Sequence, residues 1–233
     1  MWLVAFFGMS MKFSSCSLAQ MHRRISSNGK VLGGPMVYLD DGIKQHYPKL
    51  AWLGKSLSIL FCVCCVFGAF GGGNLFQGNQ TYSLLASQFY GSPLAAPTWL
   101  PWTVGVVLAV TAGLVLIGGI KRIGNVTSKM VPLMCATYSI LCLVILLINL
   151  TAIPGMIAEI FIQAFKPDAL IAGGFLGVFV TGMKRAAFSN EAGLGSAAIA
   201  HAAAKTKEPI REGVVAMLGP FIDTILVCSM TAL

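Results

Sequence analysis

Charge is scarce in this chain. Only 10% of its 233 residues are Asp, Glu, Lys or Arg, against about 25% in ordinary soluble domains. Combined with a hydrophobic share of 56%, this excludes a soluble globular domain. Histidine is scarcer still, with three residues and none close in sequence to a cysteine. Cys62, Cys64 and Cys65 form a C-x-x-C on an apolar helix, and Cys135, Cys142 and Cys228 lie in other apolar stretches. Without neighbouring histidines they read as small hydrophobes, not as metal ligands or a redox pair. No nucleophile or cofactor set stands out, and GGGN at 71–74 lacks the strand-to-helix setting of a nucleotide loop. These gaps argue against an enzyme.

What the chain does have is long apolar runs. Residues 57–77 (or on to 89), 104–120, 131–150, 170–204 and 213–233 each approach or exceed the roughly 20 residues that span a bilayer core. The fold class expected is an all-α polytopic membrane protein, a single transmembrane domain over 1–233. Residues 1–13 read as the tail of a spanning helix that starts earlier, and the chain ends at 233 with no closing polar segment, so both ends look cut.

The net charge of +8 is distributed along membrane edges. Seven of the sixteen Lys and Arg fall between 12 and 55, three at Lys121, Arg122 and Lys129, and three at Lys205, Lys207 and Arg211. Residues 90–101 carry no charge, and 151–169 carry one Lys against two acids. Basic loops alternating with non-basic ones place 12–55, 121–129 and 205–211 in the cytoplasm and 90–101 and 151–169 outside. That pattern suits a lipid bilayer and not nucleic acid. Within 12–55, the GGP at 33–35 breaks any helix, and Asp40-Asp41-Gly42 reads as a turn.

One stretch breaks the apolar pattern at bilayer depth. GMKRAAFSNEAGLGSAAIAHA (182–202) puts Lys184, Arg185, Asn190 and Glu191 between a Gly-rich run (170–181) and a small-residue run (192–204). Charge and irregular backbone survive there only when buried in protein or lining a cavity. Two half-helices meeting at a polar break form a midplane solute site in many transporters. Asn190 and Glu191 are expected to open the second half-helix. Ser189 or Asn190 would cap its free N–H groups, Glu191 would face its positive end, and the exposed backbone could also contact a zwitterionic solute or a cation. Ala192, Ser196, Ala200 and Ala204 recur every fourth residue, a spacing that permits close helix approach.

Other polar residues lie in the remaining runs. Asp223-Thr224 sits within the last apolar run, where Asp223 either pairs with Lys184 or Arg185 or serves an ion or a gate. Asn74, Gln77, Gly78 and Thr81 share one narrow polar face, with Asn74 and Gln77 bonding a neighbouring helix or a substrate. His22 and His46 read as solvated, and His201 as a weak candidate for a transport role. Lys121–Lys129 reads as a short inner turn, Pro132 as first-turn proline of the next span, and 157–165 as a short surface helix.

Three strings together resemble the alanine/glycine:cation symporters, the sodium:alanine symporter family. They are GGPMVYLDDGIK (33–44, with Val37 where Tyr is commoner), FGAFGGGNLFQGNQ (67–80) and FSNEAGLGSAAIAHAAAKTKEPIREGVVAMLGPFIDTILVCSMTAL (188–233). WLVAFFGMSMKF at the start also resembles the end of a family helix. The resemblance implies the inverted-repeat (5+5) fold of the amino acid–polyamine–cation superfamily. This chain would run from the end of core helix two to helix seven, with 170–204 as broken core helix six and with helices one and eight absent. By position it implies Gln77, Ser189 and Asn190 as substrate contacts, with Gly182 and Phe188 shaping the pocket. Asp223 and Thr224 match the family's aspartate–threonine pair and, with Glu191, stand as ion or gating candidates.

The function this implies is sodium-coupled symport of alanine or glycine across the plasma (inner) membrane by alternating access, with sodium as the co-transported ion and no other cofactor. The alternatives are a passive solute channel and a fragment that does not function alone.

Overall fold

The computed structural model describes the backbone of residues 1–164 and 167–233, and within them all side chains except those of 120, 121, 164, 167–176 and 178. Nearly all of this is helix, as the apolar runs predict. Among the described residues, four helices are long and apolar enough to cross a membrane: Trp2–Met21, Pro48–Tyr90, Arg122–Ile148 and Pro209–Ala232. The protein is an all-α polytopic membrane protein. Its contacts divide it into two units, residues 1–65 with 142–233 and residues 66–141.

The first unit is organised around α1 (Trp2–Met21), whose buried positions are Ala5, Gly8, Cys16, Ser17, Ala19 and Gln20. A stripe of small residues lets neighbouring backbones approach closely, which is how helices associate where lipid removes the hydrophobic drive. Helix α1 packs on α9 (Pro167–Asn190), α10 (Ser196–Ala202) and α11 (Pro209–Pro220). A Cβ on Gly213 of α11 would meet the Phe13 carbonyl at 2.9 Å. The buried cluster is built from Cys16, Ala19, Ala198, Ala202 and Ala216.

Beyond α1, a two-stranded antiparallel ribbon, β1 (Arg24–Ile25) and β2 (Val31–Leu32), turns through Gly29 at φ +74°. The GGP motif follows. Gly34 sits at φ +127°, and a Cβ there would lie 2.7 Å from Ile199 Cγ1. Both constraints demand glycine. Pro35 then starts α2 (Pro35–Val37), where its missing N–H costs nothing. Asp40-Asp41-Gly42 is not a turn: Tyr38–Gly42 is a π-helical segment leading into α3 (Ile43–His46). Arg24 holds both carboxylates, Asp41 Oδ1 at 2.5 Å and Asp40 Oδ2 at 3.5 Å, so the chain stays helical through an acidic pair. The Arg24 hydrogen bond holds the Asp41 carboxyl below its ordinary pKa.

Helix α4 (Ala51–Gly68) passes through a π-helical segment, Ala69–Leu75, into α5 (Phe76–Tyr90) without a break. In the second unit, α5 packs on α6 (Leu100–Leu116), and Gly91 at φ +77° ends α5. Gly119 at φ +70° separates α6 from α7 (Gly119–Ile148). The expected inner turn at 121–129 is therefore helix, and α6 ends at Leu116, before Gly119. Pro132 lies inside α7 and not in its first turn. Asn74 lies in the π segment, whose wider turn shifts its register from that of Gln77, Gly78 and Thr81. Leu133, Leu141, Leu147 and Ile148 of α7 are exposed, a surface suited to lipid.

Residues 142–233 return to the first unit. Helix α8 (Ile153–Ala164) begins earlier than the surface helix expected at 157–165, and the last residue of that expectation lies outside the described residues. Pro220, which cannot donate to the helix ladder, precedes a third π-helical segment, Phe221–Val227, and α12 (Cys228–Ala232).

Candidate functional site

The break in the 170–204 run is real and lies later than the sequence suggests. Helix α9 continues through Lys184, Arg185 and Ser189 to Asn190. Glu191, Gly193 and Gly195 then take φ of +52°, +89° and +75°, and α10 starts at Ser196. Asn190 and Glu191 thus close the first half-helix and do not open the second. Glu191 is the first residue at positive φ and ends α9, and the positive φ of Gly193 and Gly195 delays the start of α10 to Ser196. Ala192 consequently lies in the break, so of the expected small-residue repeat only Ser196 and Ala200 are on α10.

Glu191 is the non-glycine residue at positive φ among the described residues, a conformation that costs about 1–2 kcal/mol. Local bonds hold it. Asn190 Oδ1 accepts the Ala192 N–H at 3.0 Å, and Ser196 Oγ donates to Glu191 Oε2 at 2.8 Å. Glu191 therefore does reach the start of α10, through Ser196. A Cβ on Gly195 would meet the Phe61 ring at 2.6 Å and Pro35 Cγ at 2.7 Å. The GGP segment and α4 thus pack directly against the break.

The end of α9 is gripped by polar groups from two other helices. Lys12, in the middle of α1, donates to the Asn190 carbonyl at 3.1 Å. The sequence reading placed Lys12 at the start of a cytoplasmic loop. It is instead a half-buried residue of a helix that runs to Met21. One residue earlier, Ser189 Oγ donates to Asp223 Oδ2, and Thr224 Oγ1 reaches the same oxygen at 3.5 Å. Cys228 Sγ lies 3.7 Å from Ser189 Oγ. Asp223 is half-buried and Thr224 fully buried. Among the described residues, neither Lys184 nor Arg185 forms an ion pair with Asp223.

Asn190 is 2% exposed, and its Nδ2 is buried with no acceptor. It faces α1, where a Cβ on Gly8 would sit 3.2 Å from it. An unpaired buried donor of this kind costs about 1–3 kcal/mol. Phe188 is 41% exposed, and Gly182 has open space where a side chain would stand. The structure thus brings Ser189, Asn190, Glu191, Asp223 and Thr224 together. Gln77 belongs to the second unit, exposed in the first turn of α5, with its carbonyl accepting Thr81 Oγ1 at 2.9 Å.

A second polar cluster closes the far end of α10. Gln20 Nε2 donates to the His201 carbonyl and, at 3.3 Å, to that of Ala204. Arg23 donates to the carbonyls of Ala202 at 3.1 Å, Ala204 at 2.5 Å and Thr206 at 2.7 Å. His201 Nδ1 lies 2.6 Å from Glu212 Oε1 of α11. Lys12, Gln20 and Arg23 escaped the sequence reading. For Lys12 and Gln20 the spacing was the available signal, because 12, 16 and 20 follow one face of a helix; Arg23 lies just beyond its end.

The family model for the sodium:alanine symporter family matches residues 1–233. The chain belongs to the sodium:alanine symporter family. Among its relatives, the sodium/alanine symporter AgcS of Methanococcus maripaludis is 43% identical over all of this chain and 49% of its own length. The amino-acid carrier protein AlsT of Bacillus subtilis is 34% identical over all of this chain and 46% of its own length. The probable sodium/glutamine symporter GlnT of Bacillus subtilis is 31% identical over all of this chain and 45% of its own length. The chain spans about half the length of these relatives. Membership in a transporter family agrees with the lack of an enzyme-like residue set in the sequence.

Proposed function

We propose that this chain forms part of a sodium-coupled symporter of a small neutral amino acid, alanine or glycine, acting in the plasma membrane by alternating access. The observation that carries the reading is the break at residues 191–195, between helices of a chain matched along its whole length by the sodium:alanine symporter family. Ser189, Asn190, Gly182 and Phe188 contact the amino acid. Glu191, Asp223 and Thr224 serve the ion or the gate. Two features support these roles. The Asp223 carboxylate is flanked by the hydroxyls of Ser189 and Thr224, an all-oxygen set of the kind hard cations prefer. Asn190 Nδ2 is a donor with no protein acceptor.

The energetics suffice. A tenfold sodium gradient supplies about 1.4 kcal/mol, and a 100 mV potential adds about 2.3 kcal/mol per charge. One sodium ion therefore supports roughly several-hundred-fold accumulation of a zwitterion. The names of AgcS and GlnT differ in amino acid, which makes glutamine the competing substrate to exclude.

The test is uptake of labelled alanine into proteoliposomes under an inward sodium gradient, with choline as control. It is run on this chain and on a version extended to its relatives' length. Saturable, sodium-dependent uptake that glycine competes away and glutamine does not supports the reading. Sodium-independent, non-saturating flux would establish a channel instead. Failure of the extended protein with alanine, glycine and glutamine would overturn the assignment.

A further inference from the structure

We propose that Lys12 is a positioning residue for transport: its ammonium clamps the end of α9 so that Ser189 stays on Asp223. This rests on the symport reading above. The last carbonyls of any helix lack intrahelical partners, and at bilayer depth water does not supply them. Lys12 meets that need at Asn190, the last residue of α9, with a 3.1 Å bond. A cation at a helix C-terminus also opposes the helix dipole favourably.

The surroundings are cut to fit this arrangement. A Cβ on Gly219 would lie 3.1 Å from Lys12 Nζ, and a Cβ on Gly8 would lie 3.0 Å from Ala192 Cβ. Side chains at 8 or 219 would therefore push against the ammonium or the break. One residue before Asn190, Ser189 is bound to Asp223. The end of α9 is thus held by a cation from α1 at residue 190 and an anion from the π segment at residue 189. Any shift of α1 that moves Lys12 pulls on Asn190 and, through one peptide bond, on the Ser189–Asp223 contact. Lys12 need not touch the solute to set its affinity.

The experiment compares wild type with Lys12→Met, Lys12→Gln and Lys12→Arg in the full-length protein. It has two readouts: KM and maximal rate of alanine uptake, and the maleimide labelling rate of Cys228, measured by mass spectrometry on its peptide. Cys228 reports because its Sγ lies 3.7 Å from Ser189 Oγ, so release of Ser189 uncovers it. Lys12→Met and Lys12→Gln are expected to raise KM roughly tenfold with a smaller change in maximal rate, and to speed labelling. Lys12→Arg, which keeps the charge and the donors, is expected to restore both towards wild type. Wild-type KM and labelling in Lys12→Met would overturn the proposal. So would wild-type behaviour in Lys12→Gln, because the charge would then be irrelevant, or an equal failure of folded Lys12→Arg. If Lys12→Met does not fold, Lys12→Gln against Lys12→Arg decides. Loss of sodium dependence in the wild type would instead refute the symport reading and leave the labelling comparison intact.

Discussion

Replacing Gly195 with alanine isolates what holds the helix break open. Two separate costs are expected at this position. Its φ of +75° carries a penalty of about 1–2 kcal/mol for any residue with a Cβ. The new Cβ would also stand 2.6 and 2.7 Å from the Phe61 ring and 2.7 Å from Pro35 Cγ. Neither neighbour is a flexible chain that can swing aside, so overpacking adds about 1–3 kcal/mol. The total is about 2–5 kcal/mol. Gly29 supplies the control within the same unit, with φ +74° and nothing within 4 Å of its would-be Cβ. Gly29→Ala should therefore cost only the conformational part, about 1–2 kcal/mol. Equilibrium unfolding of both variants in mixed detergent micelles measures the difference. If Gly195→Ala is no more destabilising than Gly29→Ala, the packing of α4 and the GGP segment against the break is not what fixes it.

Three further outcomes are expected. Asp223→Asn keeps an acceptor for Ser189 but removes the charge, so sodium affinity in uptake assays should fall roughly tenfold to a hundredfold while the protein stays folded. Arg23→Ala removes three bonds, one to the last residue of α10 and two to the chain after it. Hydrogen exchange at the amides of 203–206 should accelerate, with a stability loss of about 1.5–3 kcal/mol. The Arg24–Asp41 pair lies outside the spanning helices and depresses the Asp41 pKa, so its stabilisation is fully present above the unfolded carboxyl value of about 3.9. It is lost as pH falls through the lower folded value. Because both side chains are well exposed, acid unfolding should change by at most about 1 kcal/mol between wild type and Asp41→Asn, and the two should converge at the lowest pH.

The sequence by itself determined the class of this protein, the approximate place of its spans and the existence of a polar break. Each of these follows from local composition: apolar length answers to bilayer thickness, and glycines spaced closely in a helix answer to backbone geometry. Ser189, Asn190, Asp223 and Thr224 were each singled out, as polar groups inside apolar runs or by resemblance to the family, but the bond from Ser189 to Asp223 was not. Only tertiary structure decided where the break falls, because Lys184 to Asn190 are as compatible with helix as with an unwound turn until α1 packs against them. It also decided which charge the α9 terminus meets. Lys184 and Arg185 are nearest Asn190 in sequence, yet Lys12 makes the bond. The same holds for Asp40-Asp41-Gly42, a turn by local propensity that Arg24 helps hold as helix. Local rules fix what a segment can do alone. Partners 178 residues apart, such as Lys12 and Asn190, are chosen by the packing of small-residue faces, and no local pattern encodes that.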